Sequence, residues 1–153
     1  EYKQALGEQR GNFEVLLAHE WLTQLMINKQ LPDDLLTAKQ SNKRYQLFAH
    51  CTEKTALAKS ESQWVDIFSH FGLTLDKISV GCCGMAGTFG FETEHYEMSK
   101  AMGSLKLFPA IEAEDKRDWR VAISGISCRQ QIDHFTSKRP RHVVEYLADA
   151  LKD

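Results

Sequence analysis

Between Phe13 and Gln30 apolar residues recur at three- and four-residue steps, at Leu17, Trp21, Leu22, Leu25 and Met26, which predicts a helix. Leu31-Pro32-Asp33-Asp34 interrupts it and caps a short helical turn over Leu35 and Leu36. Arg44–His50 is aromatic and apolar at its centre and reads as a strand. From Thr52 to Phe71 the period is helical again, with Trp64, Ile67, Phe68 and Phe71 on one face and Gly72 placed as a cap. Leu75–Val80 forms a second strand and Gly81–Gly90 a glycine loop. Thr93–Phe108 is helical, with Met98, Met102 and Leu105 on one stripe and Pro109 as its stop. Arg120–Ser124 is a third strand and Cys128–Phe135 opens another helix. Pro140 precedes a last helix with Val143, Val144, Leu147 and Leu151 inward.

Strands joined by helices must run parallel, with right-handed crossovers. The expected fold is therefore α/β: a three-layer domain with a small parallel sheet, helices on both faces and a helical N-terminal addition. Residues 1–43 are assigned to that N-terminal helical segment and 44–153 to the α/β domain. The chain has 153 residues, one domain's worth, and starts Glu1-Tyr2-Lys3 without Met, so it is read as a C-terminal piece of a longer polypeptide. Apolar residues make up 42% and charged residues 26%, which excludes disorder and low complexity. The 19 basic and 21 acidic residues leave a formal charge of −2, with no basic, aromatic-rich stripe for nucleic acid. No apolar run spans a bilayer and no secretory signal is visible. The expected place is the cytoplasm, or peripherally at the inner membrane.

Chemistry concentrates in four cysteines. Cys51 follows the first strand, Cys82 and Cys83 the second, and Cys128 the third. All four thus fall at the carboxyl ends of parallel strands, where open α/β sheets bind ligands, and that topology would gather them into one cluster. Helix N-termini behind Cys51 and Cys128 would favour thiolate, and backbone N–H groups could bond to sulfide. A non-secreted chain of this size does not suggest a disulfide framework, which leaves core thiols, a redox pair or metal ligands. Soft thiolates select iron–sulfur clusters, zinc or copper(I). Zinc favours Cys-x-x-Cys knuckles, which are absent, whereas a multi-iron cluster accepts two neighbouring sulfurs. Glycine at 81, 84, 87 and 90 permits the backbone an adjacent Cys pair needs. This spacing is neither a dinucleotide fingerprint nor a phosphate loop.

The string Gly81-Cys-Cys-Gly-Met-Ala-Gly-Thr-Phe-Gly-Phe-Glu92, followed by His95-Tyr-Glu-Met-Ser99, resembles the cysteine-rich "CCG" domain. That domain occurs in heterodisulfide reductase B and in the iron–sulfur subunits of glycolate and anaerobic glycerol-3-phosphate dehydrogenases. The similarity is greatest to the C-terminal part of FAD-linked oxidases of the D-lactate and D-2-hydroxyglutarate dehydrogenase type. It runs from about Arg44 to the C-terminus and includes His50-Cys-Thr-Glu-Lys54, Met102-Gly103, Leu107-Phe-Pro109 and Gly125-Ile-Ser-Cys-Arg129. The resemblance implies that Cys51, Cys82, Cys83 and Cys128 bind an iron–sulfur cluster, a [4Fe–4S] centre in a four-cysteine site. Gln131 stands where heterodisulfide reductase has its last Cys, and Thr52 and Gln130 stand where close relatives often have His, so that enzyme's fifth-cysteine chemistry is not implied.

The resemblance further implies an electron-transfer domain of a FAD-linked 2-hydroxy acid dehydrogenase, with FAD elsewhere in the parent protein. Its partners would be the flavin and ferredoxin-like regions of that parent and an electron acceptor. Gly81, Gly84, Gly87, His50, Lys54 and Arg129 are the expected surroundings of the cofactor. Lys54 and Arg129 would offset an anionic thiolate cluster, and His50 and His95 would tune it or relay protons, or be structural. The basic run Lys138-Arg-Pro-Arg-His142 either docks an acidic partner or is plain surface. Two other functions are compatible with the residues: a thiol-redox domain cycling Cys82 and Cys83, and a docking domain with a zinc or empty cysteine site.

Overall fold

A computed structural model describes residues 5, 7, 11–31, 43–113 and 118–150. The elements are α1 (Ala18–Ile27), β1 (Arg44–Phe48), α2 (Cys51–Ala56), α3 (Ser60–His70), β2 (Thr74–Lys77), α4 (Tyr96–Glu112), β3 (Arg120–Ile123), α5 (Ile126–Phe135), β4 (Arg141–His142) and α6 (Val143–Ala150). Two 3-10 turns, Phe89–Phe91 and Thr93–His95, lead into α4. The expected turn at Leu35–Leu36 and the inward Leu151 lie outside the described residues.

The sheet is four-stranded, wholly parallel, and ordered β2-β1-β3-β4. Tyr45 pairs with Leu75 on one side and with Arg120 on the other. Every β1 residue after Arg44 is buried, because helices cover both faces. Side chains still alternate. Tyr45, Leu47 and Ala122 join Trp64, Ile67 and Phe68 of α3 and Val143, Tyr146 and Leu147 of α6. Phe48, Val121 and Ile123 join Leu107, Phe108 and Ile111 of α4 and Ile132 of α5 on the opposite face. These are the three layers expected. Helix α1 is the N-terminal addition: it lies on α3, and Leu22 and Met26 pack against the first cluster.

Several local expectations change. The single helix over 52–71 is two helices, broken at Leu57, which leaves helical backbone at φ −133° and ψ 68°. No Gly or Pro marks this break. The Glu53 carboxylate accepts hydrogen bonds from the hydroxyls of Ser60 and Ser124, which ties α2 to the start of α3 and to the end of β3. Strand β2 ends at Lys77, three residues before the expected Val80. Pro109 does not stop α4, which continues to Glu112. Proline removes the hydrogen bond to the carbonyl of Leu105, and Leu105 is 72% exposed, on the side of the helix where water is available.

The stripe of Met98, Met102 and Leu105 therefore faces outward, while Ser99, Gly103, Leu107, Phe108 and Ile111 face the sheet. Strand β4 was not expected, since a two-residue strand carries no periodicity. The basic run around it is partly tied internally: Arg141 pairs with Glu145 and Asp149, and Arg139 with Asp133. Among the described residues no helix is long and apolar enough to cross a membrane. The facing of α4 makes a direct prediction. In urea unfolding, Leu107→Ala should cost about 2–5 kcal/mol, whereas Leu105→Ala should stay within about 0.5 kcal/mol. Equal losses would mean that the stripe is buried after all.

Candidate metal centre

Chain order brings the sulfurs together. From β1 the chain passes to β2 on one side and then crosses to β3 on the other, so the carboxyl ends of β1 and β3 flank a switch point. Cys51 is the first residue of α2 and Cys128 the third of α5, both immediately past that edge. Cys82 and Cys83 sit on the loop after β2. All four line one cavity of about 230 Å³, walled by Phe48, Val80 and Leu107 and bordered by Lys54, Thr55 and Gly81. Cys51 is exposed, Cys82 half-buried, and Cys83 and Cys128 buried; none is in a disulfide.

The thiols sense one another electrostatically. Contact with Cys128 holds the Cys83 thiol down to about 6, against the opposing effect of burial, with help from the Met85 backbone. Cys128 is driven far up by the same contact, by burial, and by the charges of Cys83, Cys51 and Cys82. The two opposite shifts share their largest cause, the contact between the two thiols. Cys83 thus meets Cys128 most strongly and its sequence neighbour Cys82 more weakly. Cys82 Sγ accepts the Gly84 N–H at 3.3 Å.

Three groups support the site; Gly84 was expected there from the sequence, Gln131 and Glu53 were not. The Gln131 side-chain amide donates to the Cys83 carbonyl at 2.9 Å and to Ser99 Oγ at 2.7 Å, fully buried. It fastens the cysteine loop to α5 and α4. Gly84 fits only because it lacks a Cβ: one placed there would lie 2.0 Å from the Ser99 carbonyl oxygen, and φ is +94°. Close approach to α4 by itself requires glycine here. Glu53, through Ser60 and Ser124, holds α2 and with it Cys51. The signal for Gln131 was its place three residues after Cys128, on the same side of a helix.

The expected surroundings separate. Gly81 and Lys54 border the thiol cavity, and Lys54 also lies 3.8 Å from Glu61. Arg129 turns to Glu145, at 3.5 Å, and does not line the cavity. Gly87 lies in the loop outside the lining. His95 stacks on Phe89 and pairs with Glu92. His50 caps α2, accepting the Thr52 N–H at Nδ1, and borders a second cavity on the other flank of α2.

Among the described residues no three His, Cys, Asp or Glu side chains stand as the ligands of a metal ion. The four thiols instead surround a cavity with largely apolar walls. An all-sulfur donor set spread around a space, not a point, fits a multi-iron cluster, in which each thiolate binds its own iron, better than a single zinc ion.

The chain is 40% identical over 151 residues to a D-2-hydroxyglutarate dehydrogenase of Pantoea ananatis, and 40% identical over 152 residues to one of Escherichia coli. Both matches cover 99% of this chain and 14% of the relative, so the chain spans about one seventh of those proteins. It is also 42% identical over 80 residues to one subunit of the anaerobic glycerol-3-phosphate dehydrogenase of Escherichia coli, a match that covers 52% of this chain and 19% of the relative. No family model matches, and no solved structure matches.

Proposed function

We propose that this chain is the iron–sulfur electron-transfer part of a FAD-linked 2-hydroxy acid dehydrogenase. Flavin held elsewhere in the longer protein would be the electron source, and the acceptor would lie beyond this domain. The single observation that carries the reading is the convergence of four thiols, from three strand ends, on one cavity. The 2-hydroxy acid comes from the names of the relatives that align along nearly the whole chain. The flavin and the ferredoxin-like region are implied by the resemblance. In this reading residues 44–153 form the cysteine-rich domain and residues 1–43 its N-terminal helical segment.

Cys51, Cys82, Cys83 and Cys128 would hold the cluster. When bound, such a cluster stores and passes single electrons. The chain supplies the environment. Phe48, Val80 and Leu107 keep the walls of the site apolar, and Lys54 places a cation beside a thiolate-rich centre. The Gly84 N–H stabilises the sulfur of Cys82, and Gln131 holds the cysteine loop at its buried end. Such second-sphere contacts set the potential of a cluster as much as its ligands do.

Anaerobic reconstitution with iron and sulfide tests the assignment. The wild-type chain should gain broad visible absorbance and, on reduction, a paramagnetic signal. Cys51→Ser and Cys128→Ser should each abolish or deeply cut both. A site that takes up stoichiometric zinc but no iron and sulfide would refute it.

Gln131→Leu separates scaffold from ligand. It leaves the Cys83 carbonyl and Ser99 unpaired in a buried place, so thermal unfolding should report a loss of about 1–3 kcal/mol. Cluster yield should fall while all four thiols still titrate. Unchanged stability and yield would show that the amide does not position the loop.

A further inference from the structure

A second cavity is larger than the one that holds the thiols. It has a volume of about 630 Å³ and opens at the same switch point, between the starts of α2 and α5, on the flank of α2 opposite Cys51. Its size is that of a small-molecule site, about 300–1,000 Å³. Nothing in the electron-transfer reading uses it.

Its polar lining is three imidazoles, the hydroxyls of Thr52, Ser124 and Ser127, and the Glu53 carboxylate. His50 and His142 both border it. Each ring accepts a backbone N–H at Nδ1, His50 from Thr52 and His142 from Val144, both at 3.3 Å. A neutral imidazole that accepts at Nδ1 carries its proton on Nε2, so each ring keeps an Nε2–H to offer. His19 also lines the cavity; it is 95% buried, lies tilted beside Trp64 with ring centroids 5.7 Å apart, and has no hydrogen-bond partner among the described residues. Helix α5, ten residues long, begins at Gly125 with no side-chain cap, and Gly125, Ile126 and Ser127 line the same space. Gly125 cannot gain a side chain, since the His50 ring lies 2.6 Å from where a Cβ would stand.

The one acidic group, Glu53, has both carboxylate oxygens occupied by the Ser60 and Ser124 hydroxyls, so it does not satisfy these donors. The rest of the lining is apolar, with Leu17, Leu57, Trp64 and Ile126. Among the described residues the imidazoles are not grouped as ligands of a metal ion. Donors without acceptors, set in an apolar cleft, call for an anionic acceptor on a hydrocarbon body.

We infer that this cavity binds a small organic carboxylate, with its carboxylate held by His19, His50, His142 and the first turn of α5 and its carbon body against Trp64, Leu17 and Ile126. The site is independent of the cluster assignment, because none of the four thiols lines it. Cys51 and Cys128 are nevertheless next in sequence to lining residues, so an occupant would sit against the two helices that carry them.

Benzoate and hexanoate, titrated into the 153-residue chain, should saturably shift the Trp64 indole resonance. Benzyl alcohol, 1-hexanol and inorganic phosphate should not. Ser127→Asp puts an acidic residue in the first turn of α5, which the helix favours, but sets its charge against the carboxylate. It should fold and bind benzoate at least about tenfold more weakly, as should His142→Leu, each having lost or opposed a charge-assisted contact. No shift with either carboxylate, alcohols or phosphate binding as well as the carboxylates, or both variants binding like wild type would overturn the assignment.

Discussion

The whole arrangement depends on parallel pairing around β1. Because β1, β2 and β3 run the same way, every strand delivers its carboxyl end to one edge of the sheet. Right-handed crossovers then set the helices on the two faces and their N-termini along that edge. Residues far apart in sequence, such as Cys51 and Cys128, become neighbours with no contact selected for that purpose alone. Burial maintains the pairing: Tyr45, Leu47 and Phe48 lose nearly all exposure, and each face of β1 is sealed by its own pair of helices.

Upon that frame, polar anchors fix the details. Glu53 joins α2, α3 and β3, and Gln131 joins α5, α4 and the cysteine loop. Both are buried or half-buried groups whose hydrogen-bonding capacity is used within the protein, which makes the edge a rigid mount. The edge carries two kinds of space, a thiol-lined cavity and a larger donor-lined one, separated by α2. One chain segment thus serves both: Cys51, Lys54 and Thr55 face one cavity, and Thr52, Glu53 and Ala56 the other.

Much of this was legible in the sequence. Alternating strand and helix patterns fixed the class, and three strand ends marked by cysteine located the edge. The errors have physical causes. Helix α4 shows apolar residues on both sides, because Met98, Met102 and Leu105 lie outward while small Ser99 and Gly103 allow the close packing inward. Hydrophobicity alone therefore does not tell which side of α4 is buried. Beside the break after α2, Glu53 accepts a hydrogen bond from Ser124, 71 residues away, a contact that no local pattern reports. His50 and Arg129 flank cysteines in sequence, yet helix geometry turns them elsewhere, to the second cavity and to Glu145.

The central claim is that four sulfurs act as one ligand set. Alkylation of the chain before and after anaerobic loading with iron and sulfide, read peptide by peptide by mass spectrometry, tests it most directly. The account predicts that Cys51, Cys82, Cys83 and Cys128 become protected together and in proportion to bound iron. Protection of some with Cys51 or Cys128 still alkylated as in the unloaded chain would contradict it.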